Sequence, residues 1–176
     1  MKKIIGGVIT LVIGGTIFTV SKTDIVKNFS RDTGLSQEAA QQYVENVSEE
    51  DMVSYDKLGS DFVSDGQEIL NSTREIDCVN YSYEWETSTL SCEKGKSQLT
   101  MLGNNEIALG KAYTVLASES ASREDMFKVI SLIDSLNADF NFEIVGYILK
   151  PQNIDEIRKN NSFNKALLQS ALESDQ

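Results

Sequence analysis

The chain has 176 residues, of which 40% are apolar and 24% are charged, so its length and composition suit one globular domain with a real core. Acidic residues outnumber basic ones by 27 to 16, and the net charge of −11 disfavours nucleic-acid binding and suits either solubility or a basic partner. Histidine is absent, which excludes a Ser-His-Asp or Cys-His catalytic arrangement, and we expect neither a metal site nor a cofactor.

The first twenty residues resemble an export segment. Lys2 and Lys3 precede an uncharged run over residues 4–20, which would span roughly 26 Å as a helix. This pattern predicts a signal anchor or signal peptide over residues 1–21. As an anchor it would leave the N-terminus inside and the following domain on the extracytoplasmic or periplasmic side; the alternative is secretion after cleavage near residue 21.

Small residues recur every four positions within this segment, at Gly6, Thr10 and Gly14. On a membrane helix they would share one face and let a second helix approach closely, which suggests a homodimer. The alternative is that Gly and Thr are simply common in short signal segments.

The rest of the chain predicts linked helices. We expect a juxtamembrane linker over residues 22–35, a helical extracytoplasmic domain over 36–173 and a frayed tail over 174–176. Ser36 is expected to cap one helix, and residues 48–51 read as a capping box that opens the next.

Within the domain, the glycines at positions 59 and 66 and the sequence Gly-Asn-Asn at 103–105 suggest interruptions of helices. Ser122 is expected to cap an amphipathic helix. The apolar run near 142–149 predicts a short buried strand, and Asn153 is expected to cap a last helix.

The segment from Cys78 to Cys92 is the most distinctive part of the sequence. An even pair of cysteines in an exported chain predicts a disulfide, and closing about fifteen residues would stabilise the fold by roughly 3 kcal/mol. Polar residues alternate there with Tyr81, Tyr83 and Trp85, which predicts a hairpin over 78–92 with these aromatic side chains on one face. They would either cover the helical core or contact a partner.

The sequence therefore predicts a mainly α fold with a small β element, behind an N-terminal membrane helix. Its predicted function is that of a non-enzymatic membrane-anchored adaptor or assembly factor, which binds a protein partner outside the cytoplasm. The alternatives are a structural envelope protein and a secreted glycan hydrolase that uses the carboxylates of Glu84 and Glu86 beside Trp85.

Overall fold

The computed structural model describes residues 2–5, 7–47, 52–79 and 91–174, and in that part of the chain a small sheet is followed by helices. The strands are β1 (Lys2–Ile5), β2 (Val8–Ile13) and β3 (Thr16–Ser21). The helices are α1 (Lys22–Thr33), α2 (Gln37–Asn46), α3 (Tyr55–Glu75), α4 (Cys92–Ala117), α5 (Arg123–Asp139), α6 (Glu143–Ile148) and α7 (Pro151–Ser174). The predicted mainly α class is confirmed.

The expected N-terminal membrane helix is wrong, because residues 8–13 and 16–21 form strands of an antiparallel sheet with the order β1-β2-β3. Gly14 and Gly15 join β2 to β3 with φ values of 57° and 74°, which suits the tight turn of a two-residue hairpin. β-branched residues favour strands, and alternate residues of β2 and β3 are buried. The period of the segment is therefore two rather than 3.6.

The residues proposed to pack membrane helices do not share a helix face in this fold. Thr10 pairs with Thr19 across β2 and β3, Gly14 belongs to the turn, and Gly6 lies outside the described residues. None of the helices in the described ranges combines the length and apolarity that crossing a bilayer requires.

The sheet rests on the helices that pack around α7. β3 contacts α7 and α1, α1 lies against α2 and α7, and α5 packs on both α7 and α4. Phe29 of α1 stacks on Tyr43 of α2 at 4.7 Å between ring centroids, and both rings contact Phe163 of α7. The segment expected as a linker over 22–35 thus contains α1, whose buried side chains belong to the core.

Helices α3 and α4 form an antiparallel hairpin in which glycines of one helix face glycines of the other. Gly59 lies opposite Gly110, and Gly66 lies opposite Gly103. A Cβ atom added to Gly66 would come 2.5 Å from the carbonyl oxygen of Gly103, and one added to Gly110 would come 2.6 Å from that of Gly59. These glycines let the two backbones touch, and both helices run through them without interruption.

The strand expected near 142–149 is also wrong, because residues 143–148 form helix α6. The Leu149 N–H donates to the carbonyl oxygen of Val145 at 2.8 Å, which is the helical pattern. A short apolar run cannot be assigned to strand or helix by its periodicity alone. The last helix begins at Pro151 rather than after Asn153, as is common for a proline in a first turn.

Two of the expected helix caps are confirmed. The Ser36 side chain accepts a hydrogen bond from the Ala39 N–H at the start of α2. Ser122 and Asp125 form a reciprocal capping box at the start of α5. Helix α3 is capped by Ser54 and begins at Tyr55. Residues 48–51, which were expected to open that helix, lie outside the described part of the chain.

Candidate functional site

The predicted disulfide is present and joins the end of α3 to the start of α4. Cys78 lies just after α3, Cys92 is the first residue of α4, and their Cα atoms are 5.6 Å apart. The disulfide therefore closes residues 79–91 into a loop at the connecting end of the hairpin. We call this loop, together with the two cysteines, the hairpin tip.

Hydrogen bonds hold both flanks of the hairpin tip. On the α3 side, the Lys96 ammonium donates to the carbonyl oxygen of Ile76 at 2.9 Å and so ties the chain after α3 to the first turns of α4. On the α4 side, the Ser91 side chain caps the helix by accepting from the Lys94 N–H at 3.3 Å. Both ends of the loop are thus attached to a packed helix pair.

The Cys78–Cys92 disulfide lies at the end of α4 that is remote from the contact with the end of α5. Asn105 of α4 donates from Nδ2 to Oδ2 of Asp139, the last residue of α5, at 2.7 Å. From Cys92 to Asn105 helix α4 runs for about 20 Å at 1.5 Å per residue. α3 lies antiparallel to this half of α4, and the disulfide joins the chain just after α3 to the start of α4.

The aromatic residues proposed to contact a partner lie outside the described residues. These are Tyr81, Tyr83 and Trp85, and the same is true of the hydrolase candidates Glu84 and Glu86 and of most of the hairpin expected over 78–92. Of the described residues that flank this segment in the sequence, Val79 has a side chain that is 90% exposed, whereas Cys92 is buried. The contact role of the aromatic residues stays a prediction.

A buried acidic group lies farther down the hairpin, where α3 and α5 both approach α4. Glu106 of α4 is 8% exposed, and its Oε2 atom has no hydrogen-bond partner in the described part of the chain. Burial raises the pKa of Glu106 to about 8, and the negative charges of Asp65 on α3 and Asp139 on α5 add to the increase. We call Glu106, Asp65, Asp139 and Asn105 the Glu106 junction.

The neighbouring carboxyl groups of the junction are perturbed in the same direction. Burial raises the pKa of Asp139, and the hydrogen bond from Asn105 opposes that increase. Asp65 is exposed, but some loss of solvation beside α4 raises its pKa, with contributions from the charges of Asp61 and Glu68. At neutral pH a proton on Glu106 therefore relieves the repulsion among these groups.

Sequence reasoning missed Glu106, although the sequence holds a signal for it. Leu99, Glu106 and Tyr113 are spaced by seven residues, and Leu102 and Leu109 lie on the same apolar stripe of α4. A charged residue on an apolar stripe is rarely buried without a partner. The suggested interruption at 103–105 lies next to Glu106, so the position of Glu106 on this stripe carried no weight in the sequence analysis.

A separate cleft of about 420 Å³ lies among α2, α3 and α7. Val47, Met52, Leu58 and Phe163 form much of its apolar wall, and its polar lining includes the amide side chains of Asn46, Asn160 and Asn164. Of the described lining residues only Glu156 carries a charge, so the cleft offers contact area but little acid–base chemistry.

The described ranges contain no cluster of three or more acidic or thiol side chains that could hold a metal ion. The acidic groups of the Glu106 junction are therefore not arranged as a cation site. The chain matches no protein-family model, no curated protein and no solved structure.

Proposed function

We propose that this protein is a non-enzymatic adaptor or assembly factor that binds a protein partner outside the cytoplasm through its hairpin tip. The observation that carries the proposal is the Cys78–Cys92 disulfide, which fixes both ends of an aromatic loop on a tightly packed helix pair. Structural disulfides persist in oxidising compartments and are rare in the cytosol, which supports the extracytoplasmic location.

The chemistry of the loop suits protein recognition. Tyr81, Tyr83 and Trp85 are close together in the loop sequence, and Tyr and Trp are enriched among residues that dominate binding energy. Fixing the ends of a loop before binding reduces the conformational entropy lost on association. The net charge of −11 favours a partner with a basic surface, because opposite charge accelerates encounter.

A photo-crosslinking residue at position 85 tests the proposal in the cells that make the protein. We expect irradiation to give a discrete protein adduct that mass spectrometry identifies. The matched control places the same residue at Ser60, an exposed position near the opposite end of the hairpin. The adduct should be absent from the control and lost when both cysteines are replaced by serine. Equal adducts at positions 85 and 60, or none at 85, would overturn the proposal.

Thiol labelling tests the compartment separately. We expect Cys78 and Cys92 of freshly isolated protein to react with a maleimide only after reduction. If both thiols react without a reductant, the extracytoplasmic location is wrong, whatever the crosslinking result.

A further inference from the structure

The Glu106 junction combines a close backbone contact with a buried acid that has no counterion. Gly66 follows Asp65 on α3, and a Cβ atom added to Gly66 would come 3.0 Å from Cβ of Glu106. The Glu106 side chain therefore starts directly beside the α3 backbone. Any separation of α3 from α4 at this point breaks the contact between Gly66 and Gly103. Any charge on Glu106 must be accommodated at that contact.

The described surroundings of Glu106 supply negative charge and no compensating cation. α3 contributes Asp65 and α5 contributes Asp139, while α6 contains Glu143 and Tyr147 and no basic residue. On α3, Lys57 pairs with Asp61 at 2.9 Å and Arg74 donates to Asn71.

The remaining basic groups of the surrounding helices are engaged elsewhere or lie at the surface. On α4, Lys96 donates to the Ile76 carbonyl oxygen, and Lys94 and Lys111 are exposed. On α5, Arg123 donates to the Leu172 carbonyl oxygen, and Lys128 is exposed. An ionised Glu106 would consequently face two carboxylates across two helix interfaces, which is unfavourable in a site of low dielectric constant.

We propose that Glu106 makes the packing of α3 on α4 depend on a proton. As the neutral acid, Glu106 allows α3 and α5 to pack against the same stretch of α4. When it loses its proton, repulsion from Asp65 favours local opening of α3, and the charge of Asp139 on α5 makes the closed, ionised state less favourable still. The disulfide keeps the far ends of the two helices together, so the opening is local and reversible.

The direction of the effect follows from proton linkage. The closed hairpin holds a proton on Glu106 over a pH range in which the opened, solvated side chain has released it. Because opening releases one proton, the equilibrium constant for opening should rise by at most about tenfold per pH unit. The rise should level off above about pH 8, where Glu106 has ionised in the closed form as well.

Hydrogen exchange on the purified, oxidised protein tests this inference between pH 5.5 and 8.5. After correction for intrinsic exchange rates, we expect the protection of α3 amides to fall by up to about tenfold per pH unit. Amides of α1 that exchange through local opening of that helix should keep their protection, because α1 packs on α2 and α7 and its local opening does not expose Glu106. Protection of α3 that does not change over this range would overturn the proposal.

Two variants identify the group responsible. In Glu106→Gln the pH dependence of α3 protection should be lost, whereas Glu119→Gln, at an exposed position after α4, should behave as the wild type. If Glu106→Gln does not fold, Asp65→Asn replaces it, because Asp65 is exposed. Removing this neighbouring charge should make the change in protection smaller and end it at a lower pH. An unchanged pH profile of α3 protection in Asp65→Asn would overturn the proposal. Neither variant tests partner binding, so these results are independent of the crosslinking experiment.

Discussion

Ile9 and Ile17 lie on neighbouring strands of the same hairpin but on opposite faces of the sheet. Ile9 pairs with Val20 and is completely buried, whereas Ile17 pairs with Val12 and is 69% exposed. The inner face, formed by Ile9 and the other buried residues of β2 and β3, belongs to the same continuous core as the helices. The apolar N-terminal segment is thus part of the folded domain.

This difference predicts unequal effects of the same substitution. Ile9→Ala should lower the free energy of unfolding by about 2–5 kcal/mol, because it leaves a cavity in the core. Ile17→Ala removes the same atoms from an exposed position and should change it by no more than about 0.5 kcal/mol. Urea unfolding followed by circular dichroism measures both. Equal losses of unfolding free energy in the two variants would contradict the placement of Ile9 and Ile17 on opposite faces of the sheet.

The glycine contacts of the hairpin predict a second matched pair. Gly103→Ala should lower the free energy of unfolding by about 1–3 kcal/mol, because its methyl group would meet the carbonyl oxygen of Gly66 at 2.8 Å. In Gly146→Ala the methyl group of α6 would meet nothing within 4 Å, so the better helix propensity of alanine should raise stability by roughly 0.5–1 kcal/mol. Thermal unfolding compares them. If Gly103→Ala is as stable as the wild type, the close approach of α3 and α4 is wrong.

Loss of the disulfide should destabilise the protein without changing its fold. The double variant Cys78→Ser, Cys92→Ser should lose about 3 kcal/mol of unfolding free energy, because the unfolded chain regains the freedom of a loop of about fifteen residues. Reduced wild-type protein is the control and should lose a similar amount, which separates the cross-link from any effect of the serines. Identical unfolding midpoints for oxidised and reduced wild type would refute the prediction.

Global stability should also depend on pH through Glu106. The pKa of its carboxyl group rises from the usual 4.5 to about 8 on folding, so the folded state holds a proton that the unfolded state has released. The free energy of unfolding should therefore fall between about pH 4.5 and 8, by no more than about 1.4 kcal/mol per pH unit from this group.

Thermal unfolding across that pH range measures this dependence. The raised pKa values of Asp65 and Asp139 act in the same direction. The pKa of Asp125 is lowered by hydrogen bonds from Ser122, so its contribution is lost only as the pH falls through that lowered value, below this range. Glu106→Gln should have a flatter profile than the wild type or Glu119→Gln. A wild-type profile in Glu106→Gln would show that another group is responsible.

Much of the local structure could be predicted from short stretches of sequence. Ser36 and Ser122 cap helices as expected, because a side-chain oxygen that accepts a backbone N–H needs only the next few residues. The pairing of Cys78 with Cys92 could also be predicted, since these are the only two cysteines. In both cases few alternative partners exist.

Glycine was the main source of error along α3 and α4. Isolated from its neighbours, glycine weakens a helix, and Gly59, Gly66 and Gly103 therefore suggested interruptions. In the folded protein each allows a close contact with the facing helix, and the packing of the long hairpin outweighs the low helix propensity.

By itself, the sequence determined the mainly helical class, two helix caps and the disulfide, since each depends on local periodicity or on a unique pair of residues. Tertiary structure decided whether each apolar run forms a strand or a helix. Residues 8–13 and 16–21 form strands because their buried face belongs to the same core as the helices, and residues 143–148 form a helix on α4. It also decided that Glu106 is buried beside Asp65 and Asp139, because the electrostatic environment of a carboxyl group depends on helices that are distant in the chain.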